Sequence, residues 1–226
     1  MSRNPGRQRS SSKAEETRAR ILEASLELFN ERGFDDATMR EIAARAGVAT
    51  GAAYYYFASK EDLVMAFYRA SQTEMQTMAA ARLATGTDLR ARLDTIISGK
   101  FEQFAANRLL LRALFRTAID PDSPISPFGD ATADIRDAAI ALFADALDGS
   151  DVRVPKDLAP HMPRLLWLYQ MGLILFWIYD RSENQQKTHL LTAKSLDMVV
   201  RLIKLAKFPP MRPLRKAAVE LLAAFA

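Results

Sequence analysis

The stretch "GVATGAAYYYFASKEDL", Gly47 to Leu63, decides the fold of this chain. Residues with small side chains, Thr50 to Ala53, stand directly before three consecutive tyrosines. This order suits a helix whose first turn must approach another molecule closely while bulkier side chains reach out one turn later. At 100° per residue the three tyrosines fan over about 200°, so at least one should lean toward the core beside Phe57. The alternative is a packed aromatic helix without a binding role.

Three capping-box patterns surround this stretch and predict where helices begin. They are "SKAE" from Ser12, "TMRE" from Thr38 and "SKED" from Ser59. Gly33 and Gly47 are typical helix ends, so a short helix follows Thr38 and another lies between Gly47 and Ser59. The last two short helices form a helix-turn-helix, in which the second helix enters the major groove of DNA.

Composition excludes several other functions. The chain of 226 residues has no cysteine, and its two histidines, His161 and His189, lack the spacing of a metal site. No Gly-x-Ser-x-Gly elbow, phosphate loop or dinucleotide motif is present, so we expect neither an enzyme nor a cofactor. The most apolar segment, 165–179, has 15 residues against the roughly 20 that span a bilayer, so we expect a cytoplasmic protein without a membrane partner.

The positive charge is concentrated at the N-terminus. The net charge is +4, and residues 1–13 hold Arg3, Arg7, Arg9 and Lys13 without any acidic residue. We predict a flexible basic arm over 1–13, which suits binding to a polyanion because each neutralised phosphate releases counterions. The alternative is a solubilising tail.

The segment from Thr17 to Phe67 resembles the DNA-binding domain of the tetracycline-repressor (TetR) family. The matching positions share the family's order and spacing: Thr17, Ile21, Ala24, Leu28, Phe29, Gly33, Phe34, Thr38, Ile42, Ala43, Ala46, Gly47, Val48, Gly51, Tyr54, Tyr56, Phe57, Lys60, Glu61 and Leu63. One position departs, because Ala49 stands where the family usually has the Ser or Thr that caps the recognition helix. Either Thr50 caps instead, or the helix loses about 1 kcal/mol.

The resemblance implies which residues contact double-stranded operator DNA. They are Thr38, Arg40, Thr50, Gly51, Ala52, Tyr54, Tyr55, Tyr56 and Lys60. Arg40 matches a base or phosphate contact and has the fork geometry that reads guanine, whereas Lys60 matches a phosphate contact. The alternative for Arg40 is a surface charge paired with Glu41 or Glu61.

Helical patterns continue through the rest of the chain, over 60–84, 88–106, 108–118, 131–147, 163–180, 185–207 and an additional C-terminal helix beyond Pro213. The resemblance implies that the hairpin of 163–180 and 185–207 pairs with its copy in a homodimer. Its interface is predicted at Leu168, Gly172, Leu175, Phe176, Leu196 and Val200. The first helix is apolar nearly all round, which favours a partner, although the core helix of a monomer is the alternative.

The resemblance also implies a small-molecule pocket in the C-terminal helices. Its predicted lining is Phe101, Phe104, Phe115, Phe143, Trp167 and Met171. Aromatic and thioether side chains suit a small hydrophobic or aromatic effector, including a cationic one. The alternative is that these residues are ordinary core.

We therefore expect an all-α protein with a DNA-binding domain at 14–60 and a helical effector-binding and dimerisation domain at 61–226. The function that follows is a sequence-specific transcriptional regulator, in the first place a ligand-responsive repressor. Two alternatives stay open: an activator or nucleoid-type binder of the same fold, and a helical-bundle enzyme or carrier with a vestigial DNA-binding motif.

Overall fold

The structure is a computed structural model that describes residues 5–118, 120 and 122–224, with the backbone alone at 5–12, 116 and 117. Within this part of the chain all regular structure is helical and no strand occurs, which confirms the all-α prediction. The α-helices in chain order are α1 (Pro5–Arg32), α2 (Met39–Arg45), α3 (Thr50–Tyr56), α4 (Lys60–Arg82), α5 (Leu89–Phe104), α6 (Arg108–Ala118), α7 (Ala133–Asp148), α8 (Met162–Tyr179), α9 (Gln186–Leu205) and α10 (Arg212–Ala223).

The chain divides into two compact units. The N-terminal unit comprises Met1–Ala70 and Asn107–Ala133, and the C-terminal unit comprises Ser71–Ala106 and Asp134–Ala226. The N-terminal unit is therefore built from two separate stretches of chain. The sequence had placed the second stretch, with α6, in the C-terminal domain, so this grouping differs from the predicted boundary at residue 60.

Two of the three predicted helix starts coincide with the observed ones. At α2 the Thr38 hydroxyl accepts the Glu41 N–H at 3.3 Å, and the Glu41 carboxylate accepts the Thr38 N–H at 3.0 Å. Ser59 and Asp62 form the equivalent pair before α4. The third start is wrong, because α1 is already helical from Pro5 and Ser12 lies inside it. Proline suits the first helical turn, so the helix continues into the segment predicted as a flexible arm; residues 1–4 lie outside the described part.

The N-terminal unit has its core on one face of α1. Ile21, Ser25, Leu28 and Phe29 are buried there, as the helical spacing predicts. A polar contact joins α1 to α6, since Asn30 donates its amide N–H to Asn107 at 2.9 Å and its amide oxygen accepts the Leu110 N–H at 3.3 Å. Asn30 thus satisfies a backbone donor at the start of α6.

The C-terminal unit is organised around a buried arginine of α5. Arg92 donates hydrogen bonds to four backbone carbonyls, those of Leu83, Gly86, Asp145 and Ala146, at 2.7–3.0 Å. The first pair follows α4 and the second belongs to the last turn of α7, where carbonyls have no partner within the helix. One side chain therefore closes the ends of two helices.

A buried aspartate organises the α8–α9 hairpin. Asp180 accepts N–H and O–H bonds from both Ser182 and Thr188, at 2.7–2.9 Å. Burial disfavours the ionised carboxyl, but these donors outweigh burial and hold the pKa of Asp180 well below its usual range. The turn itself places Asn184 and Gln185 at φ 47° and 53°, in the left-handed region that side chains other than glycine rarely adopt.

None of the helices in the described ranges is long and apolar enough to cross a membrane.

Candidate DNA-binding interface

Ion pairs fix α2 against α1. The Arg45 guanidinium donates to Glu27 at 3.0 Å and to Glu31 at 2.9–3.0 Å, and Arg32 reaches Glu41 at 2.7 Å. The Thr38 hydroxyl and N–H, together with Arg32, lower the pKa of Glu41. These pairs are solvent-exposed, so each contributes little to stability, but together they define the orientation of α2.

The turn between α2 and α3 is made by Ala46, Gly47 and Val48. Gly47 has φ +66°, and the Val48 N–H bonds back to the Ala43 carbonyl at 3.0 Å. Glycine adopts this left-handed conformation without the clash that a Cβ would cause. The turn therefore sets the direction in which α3 leaves α2.

Helix α3 begins at Thr50 without a side-chain cap. Ala49 is the N-cap residue, and its carbonyl accepts the N–H groups of Ala52 and Ala53 at 2.9 and 3.2 Å. Of the two possibilities that the sequence left open, the structure shows the uncapped one, with Thr50 inside the first turn. Ala53 and Phe57 are the buried residues on the inner side of this helix and at its end. The centre of the Phe57 ring lies 4.7 Å from the Arg18 guanidinium of α1.

The outward face of α3 presents the predicted contact residues. Tyr54 and Tyr55 are 52% and 84% exposed, and Gly51 is exposed beside half-buried Thr50 and Ala52. Tyr56 is the tyrosine that leans inward; it is half-buried and meets the Tyr55 ring edge-on at 5.3 Å. This face can donate hydroxyl groups to phosphate and set apolar ring surface against sugar or a thymine methyl group.

Arg40 and Lys60 differ in how free their charges are. Arg40 on α2 is exposed, and within the described residues it has neither an ion-pair nor a hydrogen-bond partner. Lys60 instead donates to the Phe34 and Asp35 carbonyls at 2.6 and 3.0 Å, with its ammonium 4.7 Å from the Phe34 ring centre. The geometry favours Arg40 as a DNA contact. Lys60 holds the start of α4 through these bonds, and its phosphate contact stays a prediction. The Thr38 hydroxyl is likewise engaged in the cap of α2, where it donates to the Glu41 carboxylate.

Gly51 provides a test in which stability and DNA binding should change in opposite directions. A Cβ at Gly51 would meet no atom of the chain within 4 Å, so Gly51→Ala is expected to raise the free energy of unfolding by about 0.5–1 kcal/mol. The same methyl group would stand between α3 and the bases, so we expect operator affinity to fall by about tenfold. Urea unfolding and fluorescence anisotropy measure the two effects.

Gly47→Ala is the comparison variant for Gly51→Ala. It also adds one methyl group in open space, but at φ +66° it should cost about 1–2 kcal/mol of stability. Unchanged operator affinity in a well-folded Gly51→Ala protein would mean that the start of α3 does not approach DNA.

The predicted interface residues fall into two groups. Leu168, Gly172, Leu175 and Phe176 are exposed on one face of α8. Leu196 and Val200 are buried inside the single chain, so they are not available to a partner, and this part of the prediction is corrected. The exposed apolar residues of α9 that the sequence reading missed are Leu190, Leu191, Met198, Leu202 and Leu205.

The six predicted pocket residues belong to both units of the chain. Phe101, Phe104, Phe143 and Trp167 are buried in the C-terminal unit, Met171 is half-buried there, and Phe115 belongs to the N-terminal unit. A cavity of about 280 Å³ in the C-terminal unit lies between α4 and α5, against Met75, Met78 and Gly99. None of the six predicted residues lines this cavity, so the predicted lining does not coincide with it.

The fold and this surface define an all-helical DNA-binding protein of the helix-turn-helix type. Residues 21–67 match the family described as bacterial regulatory proteins, tetR family, and residues 92–221, more than half of the chain, match the tetracyclin repressor-like C-terminal domain. The chain belongs to the TetR family of bacterial transcriptional regulators. It is a transcriptional regulator that binds DNA through its N-terminal helix-turn-helix, and the expectation that it is not an enzyme is confirmed by this membership.

Several related proteins are similar to the chain at different lengths. The HTH-type transcriptional repressor KstR of Mycolicibacterium smegmatis is 29% identical over 189 residues, which cover 83% of this chain and 87% of the relative. The HTH-type transcriptional regulator BetI of Klebsiella pneumoniae is 34% identical over 98 residues, 42% of this chain and 50% of the relative. The similarity to KstR therefore extends through both units.

Solved structures show the same fold. A TetR transcriptional regulator from Nitrosomonas europaea matches with a TM-score of 0.64 and 20% identity over 80% of this chain and 96% of its own. A TetR-family regulator from Syntrophomonas wolfei matches with a TM-score of 0.65 and 21% identity, covering 82% and 95%.

Proposed function

We propose that the chain represses transcription as a homodimer on a palindromic operator and leaves the operator when a small hydrophobic or aromatic effector binds. The observation that carries the dimer is the exposed apolar face of α8 and α9. Large apolar side chains stand there in solvent on helices whose opposite sides already form the core.

The α8 part of this face follows helical spacing. Leu168, Gly172, Leu175 and Tyr179 follow one another at intervals of four, three and four residues, Phe176 lies four residues after Gly172, and all five are exposed. The other side of the same helix, including Leu166, Leu173 and Trp177, is buried. A helix that is apolar on both sides needs a second partner, and a helical hairpin supplies two of the four helices of a bundle.

Gly172 strengthens this argument. Glycine in a helix interior costs about 1 kcal/mol relative to alanine, yet a Cβ at Gly172 would meet nothing within 4 Å in the single chain. The chain's own packing therefore gives no reason for glycine at this position. Close approach of a helix from a second copy provides one, because the missing side chain lets two helix backbones come together.

Dimer formation gives the two α3 helices a palindromic target. Two recognition helices about 34–36 Å apart read successive major grooves, whereas one short helix reads only a few bases. The basic residues of 1–13 would add phosphate contacts and steepen the dependence of affinity on salt.

Arg40 tests sequence-specific reading. Arg40→Ala should cost about 1–3 kcal/mol of operator affinity and relax the preference at one base position in each half-site. The measurement selects binding sites from random duplexes and then compares dissociation constants by fluorescence anisotropy.

The control for Arg40 is Arg153→Ala, which removes an exposed arginine from the C-terminal unit. It should leave both affinity and base preference unchanged. Equal affinity and equal base preference in the Arg40→Ala and wild-type proteins would remove Arg40 from the interface. A reporter gene behind the selected operator distinguishes repression from activation, and binding without base preference would indicate a nucleoid-type protein.

The proposal of an effector rests on the interior of the C-terminal unit. Phe101 on α5 stacks on Trp177 on α8 with ring centres 5.6 Å apart, and Phe143 on α7 and Trp167 on α8 are buried in the same unit. The Gln72 amide nitrogen and the Thr192 hydroxyl are buried, and within the described residues neither has a hydrogen-bond partner. An aromatic ligand with a polar group would offer such buried groups a partner, which lowers their desolvation cost.

The effector is tested by a small-molecule screen for release of the operator. Both tryptophans of the chain, Trp167 and Trp177, are buried on α8, so their fluorescence should change when a ligand enters. Trp167→Phe keeps an aromatic ring and should alter the response to the ligand while sparing operator binding. Ligands that change tryptophan fluorescence and never change DNA affinity would argue for a regulator without induction, because only differential affinity for two states shifts an equilibrium.

A further inference from the structure

Helix α10 is held in a fixed position although it contributes no buried residue. Arg215 donates to the Asp157 carboxylate at 2.6 Å and to the Ala206 carbonyl, one residue beyond α9, at 2.8 Å. The Arg215 guanidinium holds the pKa of Asp157 below its usual range. Pro209 and Pro210 restrict the turn before α10, so the direction of the helix is set by covalent geometry as well as by Arg215.

The anchored helix presents an apolar strip to solvent. Leu214, Ala217 and Leu221 lie three and four residues apart, and the two leucines are 64% and 62% exposed. Arg215, Val219 and Leu222, on the adjacent side, are half-buried against the chain itself. An exposed apolar surface on a helix that is fixed in position is typical of a site where another molecule binds.

A short connection joins this strip to the exposed apolar residues at the end of α9. Leu202 and Leu205 end that face on α9, exposed Phe208 follows in the turn, and the Arg215 contact with Ala206 places α10 beside the same end of α9. Along the chain, only five residues separate Phe208 from Leu214: the two prolines, Met211, Arg212 and Pro213.

We propose that α10 is an arm of the dimer interface and that a second copy of this chain covers Leu214 and Leu221. The inference rests on the homodimer proposed above and extends its surface beyond the α8–α9 hairpin. In a two-fold interface the same strip is buried in both copies, so each dimer would remove four leucine side chains from water, two from each copy.

The test compares three variants of the full chain by sedimentation velocity over a range of concentrations. Leu214→Glu with Leu221→Glu should raise the dissociation constant of the dimer by about tenfold or more, because each carboxylate would lose its water on burial. Lys216→Glu places a carboxylate on the opposite side of α10, where the Lys216 side chain is 80% exposed. It should leave the dissociation constant of the dimer unchanged. Phe176→Glu, on α8, serves as the variant that splits the dimer itself. Circular dichroism confirms that each variant keeps its helix content.

The outcomes separate the two proposals. An unchanged dissociation constant in the double variant, with Phe176→Glu dissociated, overturns the α10 proposal and leaves the dimer in place. A wild-type chain that stays monomeric at every concentration overturns the dimer and the α10 proposal with it. If Lys216→Glu weakens the dimer as much as the double variant does, the α10 proposal is also overturned, because the added negative charge and not the loss of the apolar strip would explain the weakening. Binding of the wild-type chain to anionic lipid vesicles that is lost in the double variant, with dimerisation unaffected, would assign the strip to a lipid surface instead.

Discussion

Phe176→Glu is expected to convert the protein to monomers and to lower its affinity for a palindromic operator by about 100-fold or more. Phe176 is 41% exposed and lies within the exposed apolar face of α8. In a two-fold interface the substitution occurs twice, so two unpaired carboxylates would be buried together. A monomer also loses the effective concentration that makes binding to the second half-site intramolecular.

Sedimentation velocity reports the oligomeric state, and anisotropy reports affinity for the full operator and for a single half-site. Half-site affinity should be unchanged, because the variant leaves the N-terminal unit intact. Phe128→Glu is the matched control; Phe128 is 46% exposed, in the loop before α7, and its replacement should leave the dimer unaffected. A Phe176→Glu protein that remains a dimer with full operator affinity would show that α8 does not face the partner.

Arg92→Met is expected to lower the free energy of unfolding by about 3–5 kcal/mol. The substitution keeps an unbranched side chain of similar length but removes four hydrogen bonds to carbonyls, of which that of Asp145 keeps the Gly149 N–H at 3.1 Å. A buried acceptor without a donor costs about 1–3 kcal/mol. Water can reach some of these groups, so the costs should not add fully. Urea unfolding followed by circular dichroism measures the change.

Arg90→Met is the control, two residues earlier on the same helix. Arg90 forms exposed ion pairs with Asp197 at 2.9 Å and Asp94 at 3.7 Å, which should be worth less than about 1 kcal/mol. Gly149→Ala gives an independent test, because its Cβ would clash with the Arg92 guanidinium. If the Arg92 and Arg90 variants were equally stable, the network of Arg92 would not stabilise the fold.

The DNA-binding surface was predictable because its signals are local. The capping boxes at Thr38 and Ser59 and the glycine at Gly47 each act within a few residues, and the structure has them where the sequence predicts. The same dependence on local signals left the hydrogen bonds of Lys60 within the chain unpredicted. Its partners, the carbonyls of Phe34 and Asp35, lie about 25 residues earlier, and no local pattern signals such a contact.

The surface of the C-terminal unit was harder to predict because α9 has two apolar sides. Leu196 and Val200 repeat at a spacing of four, and so do Met198 and Leu202 on the opposite side. Periodicity shows that both stripes exist, but only packing decides which one the chain buries itself. The stripe that the sequence analysis selected is the internal one, and the other stripe is exposed in the single chain.

The division of the N-terminal unit into two stretches of chain has a consequence for hybrid regulators. Residues 107–133, which carry α6, group with the helix-turn-helix, and Asn30 bonds to both Asn107 and Leu110. A transplant of residues 1–70 alone would carry the DNA-reading helices without their own supporting helix. Specificity should therefore be exchanged between relatives by moving both stretches together, or by changing only the outward residues of α3 on an otherwise unaltered unit.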